Sequence, residues 1–524
     1  MINNNNLELI KQQISEAILN ETINEINQKN FIRDYDDLTS LFEFDQNFYE
    51  NFEHPENIVL DLNNWDVSHV KNMNCLFKNC KFNIKISKWN TSNVENMISM
   101  FEGAENFNDD INSQIIDQGK GAEEFAQEKY EYQPIWDTSN VKYMNSMFKN
   151  AKSFDNDIFD WITSNVLSMK SMFEGAEKFN KNINMSINFK KDKEEVLNKF
   201  LKQSTEVNEV TAKEYVNNYD SNSLNKRIAS IRWNTSKVED MSFMFKDALL
   251  FDKSISDWDT SNVKTMESMF EGAEKFDKEI NTSRVVVKGV IDNNTGSPLT
   301  LPAWNTDNVE NMSSMFKNAK SFQKDLSHWN TLNVKTMKSM FEEASNFNQN
   351  INTGFLKSQK KLMWKTSKVE DMSFMFKNAV SFQESICNWD TSNVKTMESM
   401  FEGAENFNGN SINTKIFEFD EIKYIAWDTL NVQSMRCMFS NVINFNGDID
   451  SWNVDNLVDM IDMFKNINNF DYTKINTKLK YLLDKKYIAW KINPDLVINN
   501  LDIENLNLNW DNNKEIFSLN VYNI

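Results

Sequence analysis

The chain has 524 residues, with 77 acidic and 56 basic side chains, so its formal net charge at pH 7 is −21. Nucleic acid and anionic membrane surfaces repel an acidic protein, so neither is expected as its main partner. Hydrophobic residues make up 40% of the chain and aromatic residues 12%, which is too much for a disordered protein. No stretch reaches about 18 consecutive apolar residues, so no membrane-spanning segment is expected.

Tryptophan marks an internal repeat. Twelve of the 14 tryptophans begin the same phrase, W-x-T-S-x-V-x-x-M-x-x-M-F-x-x-A-x-x-F-x-x-x-I, whose cleanest copy runs over residues 258–280. Trp490 and Trp510 lie outside it, and the two Met columns of the phrase hold 23 of the 26 methionines. The copies, numbered 1 to 12 in chain order, begin at Trp65, Trp89, Trp136, Trp161, Trp233, Trp258, Trp304, Trp329, Trp364, Trp389, Trp427 and Trp452.

The apolar spacing within a copy predicts a short helix followed by a short strand. Val263, Met266 and Phe270 fall on one helical face, and Thr260 stands where an N-cap is expected. The stretch 276–280 fits a brief strand, and a polar column that includes Asp277 is expected to satisfy backbone groups at a turn. One copy is too small to fold alone, so the copies must stack. The expected fold is an α/β repeat solenoid of twelve coils, leucine-rich-repeat-like, with hairpin and helical insertions.

A second period lies over the first, because short steps of 24 or 25 residues between tryptophans alternate with steps of 35 to 72 residues. The repeating unit is therefore a pair of copies followed by an insertion. Charged residues alternate in sign with the same period. This predicts two rows of side chains along the stack, called ladders here, in which unlike charges of neighbouring copies lie side by side and fix how the copies align. The first ladder follows the Met-Phe step and reads Lys78, Glu102, Lys149, Glu174, Lys246, Glu271, Lys317, Glu342, Lys377 and Glu402. The second follows the Val column and reads Glu239, Lys264, Glu310, Lys335, Glu370 and Lys395.

The domain organisation follows from the array. Residues 1–57 are predicted to form a helical N-terminal cap, residues 58–489 the solenoid and residues 490–524 a C-terminal cap, with 496–503 closing that end. Insertions are predicted near 112–133, 184–232, 282–303, 353–363 and 414–426. The longest is expected to contain helices at 190–201 and 210–219, and residues 284–301 a β-hairpin with its turn at 293–296. The insertions beginning near Gly354 and Lys415 are predicted to be shorter hairpins.

Nothing in the sequence predicts catalytic, cofactor-binding or metal-binding residues. His54, His69 and His328 lie apart from one another and from any ligand set with metal spacing. Cys75 and Cys437 share a column where Ser is usual, and Cys80 replaces the Ala of its column, so small half-buried substitutions are expected rather than thiol chemistry. The methionine stripe is interpreted as core filler and not as a copper(I) site. We therefore expect a protein without enzymatic activity or cofactor.

The repeated motif resembles that of the BspA-type leucine-rich-repeat surface proteins, particularly their mycoplasma-type branch with W-[DN]-T-S-N-V-x-x-M-x-x-M-F repeats. The resemblance covers about residues 58–475. It implies a leucine-rich-repeat-like solenoid and a bacterial surface or secreted protein that acts in adhesion or host contact. The implied partner is a protein, with host extracellular proteins as candidates, and the family supplies no catalytic residues.

The N-terminal residues of the chain are polar, with no export signal and no lipid-attachment cysteine near them, in contrast to many members of that family. Export by another route, a truncated chain and a cytoplasmic location all remain open. The alternative function is therefore an intracellular protein-interaction scaffold. In either case the regular copies present nearly the same surface twelve times, so the variable insertions are expected to project from one side and to contact the partner.

Overall fold

The computed structural model of the chain describes residues 4–20, 32–33, 35–115, 134–185, 232–281, 284–291, 298–357, 361–467, 471–475, 478–479, 508–511 and 516–519. The chain divides into two compact units. The first comprises residues 1–265 and 273–305 and holds copies 1–5 with most of copy 6. The second comprises residues 266–272 and 306–524 and holds almost all of copies 7–12.

Regular secondary structure is sparse in the described ranges, and it lies mainly outside the repeated phrase. One parallel pair, β1 with β2, joins the entrance of the array to copy 1, and the other five strand pairs are antiparallel hairpins. The elements are α1 (Asn4–Leu19), α2 (Gln46–Tyr49), β1 (Val59–Asp61), β2 (Asn83–Lys85), β3 (Gln114–Ile115), β4 (Pro134–Ile135), β5 (Arg284–Ile291), β6 (Pro298–Pro302), β7 (Gly354–Leu356), β8 (Lys361–Met363), β9 (Lys415–Phe419), β10 (Ile422–Ala426), β11 (Leu508–Asp511) and β12 (Ile516–Leu519), with 3-10 turns at Pro55–Asn57 and Tyr472–Lys474.

The short helix predicted in each copy is wrong: the segment is a run of tight turns. In copy 2, the Glu102 N–H donates to the Ser99 carbonyl three residues back, and the Ala104 N–H donates to Phe101 in the same way. Ser99 has φ 55° and Gly103 has φ 69°, and both values belong to the left-handed region, which interrupts an α-helix. The strand predicted after the helix forms only in copy 1, as β2; in the other described copies that stretch is irregular.

Neighbouring copies within each unit are joined by backbone hydrogen bonds at alternate residues. In copy 2, the N–H groups of Met97, Ser99, Phe101 and Gly103 donate to carbonyls of copy 3 over 2.7–3.1 Å. Between them, the Met100 and Glu102 N–H groups close local turns, and the Ile98 N–H donates to Asn74 Oδ1 of copy 1. One residue of each copy also forms a parallel bridge with its equivalent in the next copy, as Asn96 does with Tyr143 and Asp371 with Thr396. The copies are therefore stacked in register, as the need for mutual burial predicts.

Side chains of the W-D-T-S-N segment also form hydrogen bonds between copies. Trp161 Nε1 donates to the carbonyl of Ile111 over 2.8 Å, and buried Thr260 donates its hydroxyl to the Asn305 carbonyl of the next copy over 2.9 Å. Thr260 is therefore not the predicted helix N-cap. The Asn262 amide donates back to the Ser236 carbonyl, and the Asp259 carboxylate closes a local turn on the Ser261 N–H. Each side chain thus satisfies a backbone group that the turns leave without a partner.

The polar side chains that follow the second Phe of each copy accept hydrogen bonds from the backbone, as predicted. The Asp155 N–H donates to Asn108 Oδ1, the Asn180 N–H to Asp155 Oδ1 and the Asp252 N–H to Asn180 Oδ1, all at 2.9–3.0 Å. Each side-chain oxygen therefore holds the backbone of the following copy.

The core of both units consists of side-chain columns stacked on their own equivalents. Phe270 and Phe341 are fully buried, as the repeat predicts. The ring of Phe341 lies 5.6 Å from that of Phe316 and 5.7 Å from that of Phe376, with the planes within 10° of parallel. Trp233 and Trp258 stack in the same way at 6.0 Å. These separations fall in the favourable range for offset aromatic pairs, so each copy supplies the packing surface for the next.

The predicted ion pairs of both charge ladders form inside pairs of copies, and the Val column also joins two pairs, where Lys142 of copy 3 lies 2.6 Å from Glu95 of copy 2. Along the first ladder, Lys317 lies 2.9 Å from Glu342; the equivalent pairs are Lys78–Glu102, Lys149–Glu174 and Lys377–Glu402. Along the second, Lys264 lies 2.6 Å from Glu239, with Lys335–Glu310 and Lys395–Glu370 as equivalents. Such partly exposed pairs contribute only ~0–1 kcal/mol each, so they select the neighbour more than they stabilise it.

A steric match accompanies the first ladder. In three pairs the Lys copy carries Asn in the left-handed position and the Glu copy carries Gly, as at Asn150 and Gly175; in a fourth pair Asp247 takes the place of the Asn. A Cβ built on Gly175 would lie 2.2 Å from Asn150 Oδ1, and the same distance separates Gly103 from Asn79 and Gly403 from Asn378. The Asn side chain therefore occupies the space that the missing Cβ leaves open.

The array begins one coil earlier than the tryptophans indicate. Residues 37–42 hydrogen-bond to copy 1 as the other copies do to one another, through the N–H groups of Leu38, Ser40 and Phe42. The Phe42 ring stacks on Phe77 at 5.1 Å, and Ser40 has the positive φ of its column. This degenerate copy lacks the tryptophan, so the repeat pattern does not reveal it and residues 37–42 fall within the predicted helical cap.

We predict that Phe341→Ala destabilises the second unit by about 3–5 kcal/mol, because the cavity would interrupt a ring stack that cannot collapse around it. Chemical unfolding measures the difference. Phe355→Ala is the control, since Phe355 is 38% exposed on a hairpin, and it should change stability by less than about 1 kcal/mol. Equal unfolding midpoints for the two variants would contradict the burial argument.

We also predict that Gly175→Ala costs about 1–3 kcal/mol, because a Cβ there has both an unfavourable φ and a clash with Asn150 Oδ1. Adding Asn150→Gly should recover part of the loss by removing the clash. Gly354→Ala, whose Cβ would meet only the Asn352 carbonyl at 3.8 Å, is the control and should melt like the unaltered protein. A double variant no more stable than Gly175→Ala alone would show that the Asn contact is irrelevant.

Candidate protein-interaction site

The insertions leave and rejoin the array at equivalent places. Each begins just after an Ile-Asn step, and in three of them a hydroxyl two residues after the Ile closes the base. Ser113 donates to the Trp136 carbonyl over 2.6 Å, Thr353 to Trp364 over 2.6 Å and Thr414 to Trp427 over 2.8 Å. Where the chain rejoins the array, the backbone N–H of the tryptophan donates to the backbone carbonyl of the tryptophan in the previous copy, as Trp427 does to Trp389 over 2.9 Å. The rigid array thus fixes both ends of each loop.

Three of the predicted hairpins are confirmed. Residues 284–301 fall within the antiparallel pair β5–β6, and the insertions near Gly354 and Lys415 form β7–β8 and β9–β10. A further short pair, β3–β4, lies in the insertion near 112–133. The predicted helices at 190–201 and 210–219, the turn at 293–296, residues 496–503 and Trp490 lie outside the described residues.

The two insertion hairpins of the second unit, β7–β8 and β9–β10, contact one another. The rings of Phe355 on β7 and Phe419 on β9 lie 4.6 Å apart. The spacing of the array explains this contact. Stacked strands lie ~4.8 Å apart, so two hairpins that are two copies apart are separated by roughly 10 Å. That is the distance at which sheets pack face to face. The hairpins that follow copies 8 and 10 are thus spaced for direct packing.

A cavity of about 190 Å³ lies between these hairpins and the copies beneath them. Its apolar wall is formed by Leu332, Leu362, Ile422 and Tyr424. Leu332 replaces the usual Ser of the W-x-T-S phrase, so the array itself contributes an apolar group at this place. The polar part of the lining consists of Thr353, Lys365, Thr366, Ser367 and Asp390.

The polar groups at the cavity are partly engaged. Asp390 Oδ1 accepts hydrogen bonds from the Ser392 N–H and hydroxyl, and the Thr366 hydroxyl donates to the Asp390 carbonyl. Burial raises the pKa of Tyr424 to about 12, so its phenol is neutral and donates to the Asn388 carbonyl. This bond fixes the ring that forms one wall.

The outer side of β9–β10 presents a second apolar surface. Ile416 and Ile425 are directly opposite one another in the hairpin and are 65% and 49% exposed. The next pair on the same face is the ion pair of Glu418 and Lys423, 2.9 Å apart. At the tip, Asp420 and Glu421 are exposed. The hairpin therefore combines exposed aliphatic groups with an acidic tip.

The histidines and cysteines of the described residues do not come together at one place. His54 contacts Glu56, and His69 contacts the Ile32 carbonyl. Cys80 is buried, which raises its thiol pKa to about 12, while Cys75 and Cys437 are half-buried. Among the residues that the structure describes, no group of three or more metal-ligating side chains is found. The sequence predicts no site residues, and it does not predict the cavity: Leu332, which lines it, replaces the usual Ser of the repeat, but that replacement alone does not indicate a cavity.

A family model with the description "Mycoplasma protein of unknown function, DUF285" matches the chain five times, over residues 46–128, 120–213, 184–296, 287–415 and 355–477. The chain belongs to this family. The overlapping matches follow the repeat array, so it is a repeat protein of the mycoplasma type. No curated protein and no solved structure matches the chain. Within the described ranges, no helix combines the length and apolar character needed to cross a membrane.

Proposed function

We propose that this protein is a non-enzymatic binding protein of the surface or adhesion type, which uses a repeat array to carry hairpins to a protein partner. Host extracellular proteins are the partners that the BspA-type resemblance implies. The observation that carries the proposal is the pair of packed hairpins, which together display a preformed cavity and exposed aliphatic side chains above a regular scaffold. Rigid loops on such a scaffold are a common way to build a binding surface.

We propose further that the copies stack within each unit as a variant of the leucine-rich-repeat-like solenoid. In-register parallel bridges between equivalent residues and side-chain columns stacked on themselves support this proposal. The variant differs from the expected one, because turns with left-handed residues replace the helix of each coil. The consequence for binding is that the scaffold side chains are mostly engaged in holding neighbouring copies, which leaves the insertions to select a partner.

Replacing residues 415–426 with a short linker should leave the melting temperature almost unchanged, because the hairpin base is closed by bonds of the array itself. It should weaken capture by a panel of purified host extracellular-matrix proteins, measured by surface plasmon resonance. The same replacement of 284–301 in the first unit is the matched comparison, since it removes another hairpin of the array. Undiminished capture by both variants would show that the hairpins do not contact the partner.

The surface location is tested separately, by treating intact cells that produce the protein with a protease and following the chain with an antibody. We expect degradation in intact cells and complete degradation in lysed cells. Protection in intact cells, with cleavage after lysis, would instead favour the intracellular scaffold.

A further inference from the structure

We infer that the cavity between β7–β8 and β9–β10 receives one large apolar side chain from an extended, basic peptide segment of a partner protein. This inference rests on the proposed binding function and adds to it the place of contact and the chemistry of the ligand. Three observations carry it: the size and lining of the cavity, the charge around its mouth, and the fixed position of its walls.

The size of the cavity suits a single side chain. At about 190 Å³ it is slightly larger than an engineered apolar cavity of about 150 Å³ that holds one benzene molecule. Leu332, Leu362 and the ring of Tyr424 would contact such a group, and Ile422, which is 40% exposed, would be covered by it. A Phe, Leu or Met side chain fits this space, whereas a folded domain or a large cofactor does not.

The charged groups around the mouth of the cavity favour basic residues on either side of the apolar residue of the peptide. Ile422 is preceded at the hairpin tip by the exposed carboxylates of Asp420 and Glu421, whereas Lys423, which follows it, is paired with Glu418; Asp390 lies in the cavity lining. The whole chain carries −21 charges, so a basic segment is attracted from a distance and an acidic one is repelled. Lys365 supplies one N–H donor for a peptide carbonyl beside the apolar group.

The walls are held before a ligand arrives. The Phe355–Phe419 contact joins the hairpins, the Thr353 and Thr414 hydroxyls close their bases, and Tyr424 is bonded to the Asn388 carbonyl. A preformed site loses less conformational entropy on binding than one that must be ordered by its ligand. The cavity can therefore select a side chain even though it is small.

The test uses the full chain and synthetic peptides Ac-Lys-Ser-X-Ser-Lys-NH2, with X as Phe, Leu or Ala, titrated by ligand-observed saturation-transfer NMR. The Phe and Leu peptides should bind at least about 10-fold more tightly than the Ala peptide, because only they fill the cavity. A Phe peptide with Glu in place of both Lys residues should bind more weakly, and this difference should shrink at high salt.

Leu332→Trp fills the cavity and should weaken binding of the Phe peptide by at least about 10-fold. Leu430→Trp is the matched control, since Leu430 occupies the same column of another copy and does not line the cavity; its affinity should stay within about 2-fold of the unaltered protein. If Leu332→Trp proves unstable on melting, Ile422→Ser at the exposed wall replaces it, with the same expectation of weaker binding.

Equal affinity for the Phe and Ala peptides, or equal loss in Leu332→Trp and Leu430→Trp, would overturn the inference. The proposed function can survive that result: if removal of 415–426 still abolishes capture by a matrix protein, the hairpins bind through another surface such as Ile416 and Ile425. Peptide binding that Leu332→Trp abolishes, while no matrix protein is captured, would support the cavity and reject the proposed adhesive role.

Discussion

The hydrogen bonds between the backbones of neighbouring copies impose the constraint on which the rest of the structure depends. To send alternate N–H groups to the next copy and others into local turns, each copy must place two residues in the left-handed region, as at Ser99 and Gly103. That backbone path leaves carbonyls between copies, and the Trp, Thr and Asn side chains of the motif reach them. The recurring residue types of the repeated motif are therefore those that this one backbone conformation requires. The apolar side chains of the motif fill the space that the backbone encloses.

Pairing of copies adds a second level of order. Asn beside Gly, and Lys beside Glu, make the two copies of a pair unlike and mutually fitting. The Asn–Gly match is absent from some pairs. Glu343 stands where Gly is usual, opposite the buried Asn318 Oδ1, which has no hydrogen-bond partner among the described residues. In the last pair, the Asn466 amide donates to Asn441 Oδ1. Since insertions follow each pair, the same pairing spaces the hairpins by roughly two strand separations and lets Phe355 meet Phe419.

The copies, their core columns, the charge ladders and the hairpin at 284–301 could all be predicted from the sequence, because each is written as a periodicity or a local pattern. The helix could not, since apolar residues at Val263, Met266 and Phe270 recur alike in a helix and in successive tight turns. The Gly and Asn at the positions of Gly175 and Asn150 were the discriminating signal, because both residues tolerate positive φ. The cavity was beyond prediction, since its walls come from insertions after different pairs and depend on how those hairpins lean together.

The unlike halves of a pair have a consequence for how such a gene can change in length. Loss or gain of a single copy by recombination would set Lys opposite Lys and would separate an Asn from the Gly that accommodates it. Loss or gain of two copies restores every contact across the junction and carries one hairpin with it. Arrays of this kind should therefore grow and shrink in even steps, and each step would add or delete one hairpin insertion while the stacking of the remaining copies is unchanged.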